Sequence, residues 1–328
     1  MLGRKAPVFP SFRPRWPWIG GDLQTVRNSF ISRVPDVYSF TSERLRLIMN
    51  DGSGDCLWGR LNRPSEDSAK PLVILVHGLT GSEDSPNIAT SAAYHLHRGY
   101  PVLRLNLRGA APGMDTATGH YHAGRSADIR DAIAALPPHL TDRGIVLIGV
   151  SLGGNICLKY LAETNSAQGV LAGASVCAPI DLKMAQQRIA APRNSIYQRH
   201  LLRGMRAEAL RQAKTDGIKK VISGIHTVYE FDDRIVAPAN GFADAEDYYR
   251  RASAGPLLDM IQVPTLLVHA ATDPWVPAHM YLDRSWPADC ATTLLMASDG
   301  GHVGFHAADS LVPWHDRCIG LFIASIRS

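Results

Sequence analysis

Residues 145–160 read I-V-L-I-G-V-S-L-G-G-N-I-C-L-K-Y. The first six are apolar whichever way their side chains alternate, as in a strand buried on both faces, and a helical pattern follows from Leu152. Ser151 stands at the junction, with Gly149 two residues before it and Gly153 two after. A chain that passes from strand to helix at one residue must turn sharply, which predicts φ above zero at Ser151. Side chains two before and two after would collide in so tight a turn, and glycine removes them. The Ser151 hydroxyl is then left at the amino end of a helix, where free N–H groups favour nearby negative charge. Short glycine-rich turns match G-x-S-x-G by chance. The flanking strand and helix make Ser151 a candidate nucleophile.

The chain around this stretch repeats the same rhythm. E-R-L-R-L-I-M (43–49) alternates as a strand with one wet face, and D-G-S-G-D (51–55) turns it into C-L-W-G-R-L (56–61). Continuous apolar runs follow at 72–76, 100–105, 145–150, 170–176, 265–269 and 292–297, with helical patterns near 87–98, 124–136, 152–164, 278–285 and 311–326. This alternation predicts an α/β fold: a mostly parallel eight-stranded sheet flanked by helices. From 182 to about 255 no clear strand occurs. A connection that long predicts a mainly helical cap over the carboxyl ends of the strands, where such sheets bind ligands. The expected organisation is an N-terminal extension (1–40), a core in two parts (41–181 and 256–328) and the cap (182–255) between them.

Composition narrows the function. The chain has 328 residues, 45% hydrophobic and 20% charged, which is ordinary for a soluble globular protein. Its net charge of +4 is too weak to argue for nucleic acid. The five cysteines are odd in number, widely spaced and without a C-x-x-C pair, so neither zinc nor a disulfide framework is expected, and a reducing cytoplasm is. The N-terminus is basic and proline-rich without the apolar core of a signal peptide, and no run approaches 18 apolar residues. Residues 182–220 hold ten Lys or Arg against two acids, a net of +8 that leaves −4 for the remainder. Two readings follow: a solvated face that keeps the protein soluble, or weak peripheral contact with an anionic membrane. Nothing in the sequence sets an oligomeric state.

A serine hydroxyl needs a base, and the base an orienting acid. In sheets of this plan the order along the chain is Ser, acid, His. T-L-L-V-H-A-A-T-D-P-W-V-P (265–277) offers Asp273 in a proline-pinned loop after a buried strand, with Asp181 in reserve. T-T-L-L-M-A-S-D-G-G-H-V-G-F (292–305) offers His302, with His306 as competitor; His279 reads as surface. An oxyanion would be held by the backbone N–H of Leu152 and one from H-G-L-T-G (77–81), with Leu79 preferred over Thr80. His77 reads as a residue that shapes this loop. His120 and His122 lack the partners of a metal site, so no metal and no cofactor are expected. F-D-D (231–233) reads as a contact between cap and core.

These motifs are specific in combination. H-G-L-T-G-S (77–82), N-L-R-G (106–109), Y-H-A-G (121–124), G-V-S-L-G-G-N (149–155), D-P-W-V-P (273–277) and G-G-H-V-G-F (300–305), with G-G-D-L-Q-T (20–25) upstream, resemble the YheT-type branch of the α/β-hydrolase superfamily over nearly the whole chain. The resemblance implies the triad Ser151, Asp273 and His302, carboxylic-ester hydrolysis, and substrates such as short- to medium-chain acyl esters, acylglycerols or phospholipids. Relatives often carry a cysteine after N-L-R-G, where Ala110 stands here. Acyl transfer with the same triad, or an idle ligand-binding protein on the same fold, are the alternatives.

Overall fold

The computed structural model describes residues 7–31, 35–66, 68–113, 116–164, 169–287 and 290–327. Parts of the expected N-terminal extension, 1–6 and 32–34, lie outside them. Eight strands form one sheet: β1 Ser42–Ile48, β2 Cys56–Asn62, β3 Leu72–Val76, β4 Val102–Leu105, β5 Ile145–Val150, β6 Val170–Val176, β7 Thr265–Ala270 and β8 Thr292–Ala297. Their spatial order is β1-β2-β4-β3-β5-β6-β7-β8. The first two strands form an antiparallel hairpin and β2 meets β4 antiparallel; all later pairings are parallel.

The apolar runs work as the period of a strand requires. Leu72, Ile74 and Val76 of β3 point into one core while Val73 and Leu75 point into the other. In β5, Ile145 and Leu147 join the first core and Val146, Ile148 and Val150 the second. Helices Ser126–Ala134 and Leu152–Glu163 cover the first face, and Pro86–Leu96 and Trp314–Arg327 cover the second. The arrangement is an α/β-hydrolase-type doubly wound sheet, with β5 near its centre.

One buried ion cluster fixes the loop after β4. The Arg108 guanidinium meets Asp55 at 2.9 Å and Asp128 at 2.7 Å, all three side chains being at least 96% buried. Removing one partner of such a cluster would cost about 3–5 kcal/mol. Ala110, the departure noted above, is packed in the first core.

Between β6 and β7 the chain runs through helices Leu182–Ala190, Ser195–Gln212, Asp216–Ser223, Val228–Phe231 and Ala245–Ala252, with a π-helical turn at Asp232–Val236 and a 3-10 turn at Gly255–Met260. Most of its core is its own: Ile189, Leu201, Leu202, Met205, Ile225, Val228 and Phe231. Asn155, on the helix after β5, ties the end of this insertion to the body. Its amide donates to Ala123 O and Ala252 O and accepts from Ala254 N–H.

Candidate active site

The turn at Ser151 is as tight as the glycines demand. Ser151 has φ 52° and ψ −123°, a conformation that costs a non-glycine residue about 1–3 kcal/mol. A Cβ on Gly149 would stand 2.4 Å from Gly153 O, and one on Gly153 would stand 2.3 Å from His77 O. The second clash shows that Gly153 also lets the helix close onto β3.

Ser151, His302 and Asp273 come together from the ends of β5, β8 and β7. His302 Nε2 lies 2.7 Å from Ser151 Oγ, and its Nδ1 lies 3.0 Å from Asp273 Oδ2. Burial by itself raises the Asp273 carboxyl, but the adjoining His302 imidazole, the more distant His269 and a backbone N–H bring it below its ordinary value. An ionised Asp273 only accepts, so Nδ1 carries the proton, Nε2 accepts, and the Ser151 hydroxyl donates to it. Trp275 N–H and Val276 N–H donate to Asp273 Oδ1 at 2.8 and 3.0 Å, turning Oδ2 toward the imidazole. The Trp275 ring stacks on His302 with centroids 4.4 Å apart.

The loop after β3 lies against the serine: a Cβ on Gly78 would stand 3.0 Å from Ser151 Cβ. Among the described residues the N–H groups of Leu79 and Leu152 donate to no protein acceptor, whereas Thr80 N–H donates to Tyr121 Oη at 2.6 Å. That occupies Thr80 and leaves Leu79 and Leu152. His77 is fully buried, and burial pushes its pKa down to about 4. Leu107 N–H donates to its Nε2 at 3.0 Å, so its Nδ1–H donates to Gly78 O at 2.8 Å.

The other candidates stand apart. Asp181 caps the helix Leu182–Ala190 by accepting from Met184 N–H at 2.9 Å. His306 is buried against Arg27, and burial pushes it down to about 3. His279 is exposed. His120 and His122 line the cavity beside Ser151, and the Nε2 of His120 sits 3.5 Å from Glu208. Cys177, His269 and Asp273 gather donor atoms within 4.8 Å of one another. Burial, with Asp273 beside it, holds the Cys177 thiol protonated well above its ordinary range, so it offers no thiolate, and both Asp273 oxygens are already engaged. F-D-D differs from the expected cap-to-core contact. Tyr249 Oη donates to Asp232 at 2.7 Å and Ala245 N–H to Asp233 at 3.0 Å, both partners belonging to the insertion itself. A short helix and its neighbour are joined here, a pairing that sequence separation alone does not show.

Ser151 opens on a largely apolar cavity roofed by the insertion, with Ile189, Leu201, Met205, Val228 and Phe231 among its walls. Glu208 and Asp232 also line it, their carboxyl groups accepting from Tyr121 Oη and Tyr249 Oη. Such a site can bind an apolar chain, deprotonate a serine and receive an oxyanion. Sequence reasoning missed three contributors: Trp275 on the imidazole, Tyr121 on the oxyanion loop, and the N-terminal helix Gly21–Phe30, whose Thr25 Oγ1 accepts from His302 N–H at 2.8 Å. Only the G-G-D-L-Q-T resemblance pointed to the last.

Residues 71–309 match the family described as the alpha/beta hydrolase fold. YheT of Escherichia coli (strain K12) is 31% identical over 280 residues, covering 84% of this chain and 82% of its own. The monoacylglycerol lipase of Saccharomyces cerevisiae is 30% identical over 270 residues, covering 79% of this chain; the chain spans only 60% of that relative's length. The Pyrococcus furiosus esterase Pf2001 superposes with TM-score 0.60 at 16% identity, covering 99% of this chain and all of its own.

Proposed function

This chain belongs to the YheT-type branch of the α/β-hydrolase family, is a hydrolase of the esterase/lipase kind, and from that premise we propose that it cleaves carboxylic esters through an acyl-enzyme on Ser151. The observation that carries the reading is the hydrogen-bonded line Ser151–His302–Asp273 at the mouth of an apolar cavity. His302 Nε2 takes the serine proton as Oγ attacks the ester carbonyl. The oxyanion is received by the N–H groups of Leu79 and Leu152. Collapse of the intermediate expels the alcohol, which takes the proton back from His302, and water repeats the sequence to release the acid. No metal or cofactor enters any step.

The apolar walls favour an aliphatic acyl chain, and short- to medium-chain esters, acylglycerols or phospholipids are the substrate class we infer. Among the described residues no helix is long and apolar enough to cross a membrane. We place the protein in the cytoplasm, a reading supported by five free cysteines, four of them buried. A fluorophosphonate probe tests the proposal: wild-type protein should be labelled at Ser151 and Ser151→Ala should not. An unlabelled wild type would leave a ligand-binding protein on this fold. A panel of p-nitrophenyl esters of rising chain length then reads the acyl preference.

A further inference from the structure

His302 sits in a loop with little stiffness of its own. Gly300 has φ 134°, Val303 has φ 58°, and glycines occupy 300, 301 and 304. Glycine-rich backbone has many conformations to lose. Cys177 and Thr272 hold part of it, through Val303 N–H and Gly300 O, and further restraint comes from the other end of the chain.

Residues 13–25 lie along it. Arg15 N–H donates to His306 O at 2.9 Å, and the Arg15 guanidinium donates to Ala307 O and Ser310 O. Gln24 is fully buried, and each end of its amide is committed. Its Oε1 accepts from His306 N–H at 2.7 Å, and its Nε2 donates to His306 O at 3.2 Å and Trp18 O at 2.6 Å. The Thr25 hydroxyl donates to Gly21 O at 2.7 Å. Its one proton is thereby used, so its oxygen is left to accept from His302 N–H, at 2.8 Å. The glycines make this approach possible. A Cβ on Gly301 would stand 2.3 Å from Thr25 N, one on Gly304 would stand 2.1 Å from Gln24 O, and one on Gly21 would stand 1.8 Å from Thr272 O. The same helix reaches the roof of the cavity, where Asp22 accepts from Arg193 at 2.7 Å and from Tyr197 Oη at 2.9 Å.

We propose that the N-terminal helix belongs to the catalytic machinery, with Thr25 as a positioning residue that holds the His302 backbone in register with Ser151 and Asp273, and with Gln24 fixing the loop four residues on at His306. The proposal rests on the serine-hydrolase reading above. The contact of Thr25 with the triad is the one backbone N–H it anchors, and it acts through that N–H. The plainer role for this segment is packing: Phe12 meets Phe305 and Trp314 edge-on at 5.9 and 5.6 Å. Packing alone would respond to the shape of residue 25. Positioning responds to its oxygen.

Two substitutions separate these roles. Thr25→Val keeps the shape and removes the oxygen; Thr25→Ser keeps the oxygen and removes the methyl. Both are measured with wild type for kcat and KM on a short p-nitrophenyl ester, for the rate of Ser151 phosphonylation, and for Tm. Because misplacing a catalytic group by about 1 Å costs about 100-fold, T25V should lower kcat and phosphonylation by about 10- to 100-fold, with KM within about twofold and T25S within about threefold of wild type. A T25V protein as fast as wild type, or a T25S protein as slow as T25V, overturns the proposal. If T25V does not fold, T25A replaces it against T25S: a slow T25A beside a fast T25S is expected, and equal rates overturn. A wild-type protein that fails to react with the phosphonate would sink the hydrolase reading itself, which is a different result from a reactive wild type with an equally reactive T25V.

Discussion

The His302 loop and the roof helix Ser195–Gln212 both border the cavity at Ser151, and they are held in opposite ways. The loop is gripped through backbone: glycines in contact with carbonyls and amides, and N–H groups donated to Thr25 and Gln24. The roof helix is held by interchangeable apolar side chains, Leu201, Leu202 and Met205, and at the rim by Tyr197, whose hydroxyl donates to Asp22. A backbone grip tolerates almost no change, since a single Cβ overlaps a neighbour. Side-chain packing tolerates a volume-conserving exchange at a cost below about 1.5 kcal/mol. The core should therefore govern the rate of chemistry and the roof the choice of substrate.

That division breaks most visibly at the triad. Ser151→Ala should lower kcat on a simple ester by at least about 10⁴-fold, His302→Ala by about as much, and the double variant by little more than either, because members of a triad act as one unit. Additive losses in steady-state assays would mean that the two do not share one step. Asp273→Asn comes next. It should cost about 10²- to 10⁴-fold by releasing the imidazole from its working tautomer. Asp181→Asn, at the first turn of the insertion, should leave kcat near wild type and lower stability by no more than about 1 kcal/mol, as weakening a helix cap does. A slow Asp181→Asn enzyme would make the boundary between core and insertion catalytic.

The same contrast explains what was legible in the sequence. The strands, the flanking helices and Ser151 between its glycines are written in local patterns: apolar runs for buried strands, and a glycine two residues either side of a hydroxyl. Asp273 and His302 follow from chain order on such a sheet, and the structure brings them within hydrogen-bond distance of one line. What was not legible is contact between distant segments. Thr25 meets His302 from 277 positions away, and no periodicity records it. Asp232 opens a π-helical turn and meets Tyr249 17 positions on, a contact that no local pattern records.

Asp232 also sharpens the comparison, because it is a cost carried by the roof. Burial lifts its carboxyl to about 7 from an ordinary 3.8, and among the described residues its one side-chain partner is Tyr249 Oη. Between those values the unfolded chain has lost the proton and the folded chain keeps it. Unfolding releases a proton there, so the contribution of Asp232 to stability falls as pH rises from about 4 to 7 and is level above. Asp232→Asn cannot ionise and still accepts from Tyr249. Its Tm should exceed that of wild type by a margin that widens across this window, corresponding to at most about 4 kcal/mol. A margin independent of pH, measured by calorimetry at pH 5 and pH 8, would show that the carboxyl is already ionised at the cavity wall.

The smallest effect belongs to the outer face of the roof. Helix Ser195–Gln212 buries Leu201, Leu202, Met205 and Glu208 and exposes Ile196, Arg199, Arg203 and Arg211. Its single acid thus points inward, and the outer face is basic with an apolar residue, Ile196, 75% exposed at one end. Arg199 and Arg203 pair with no acid among the described residues, while Arg193 is drawn to Asp22. On the nearby N-terminal segment Trp16, Ile19 and Leu23 are exposed as well. Of the two readings of this charge, a solvated face and weak contact with anionic lipid, the second would draw about 1 kcal/mol from each such cation at the surface, and it is the one an assay can break. Reversing Arg199 and Arg203 to Glu should lower activity on an ester carried in phosphatidylglycerol vesicles by roughly three- to tenfold at low salt, and leave a soluble short-chain ester unaffected. The difference should shrink as salt screens the attraction within about 10 Å at 0.1 M. If both substrates slow equally, these arginines support the cavity and not a membrane. If neither slows and vesicles do not sediment the protein, the charge serves only to keep the roof in water, and lipid esters reach Ser151 by diffusion through solution.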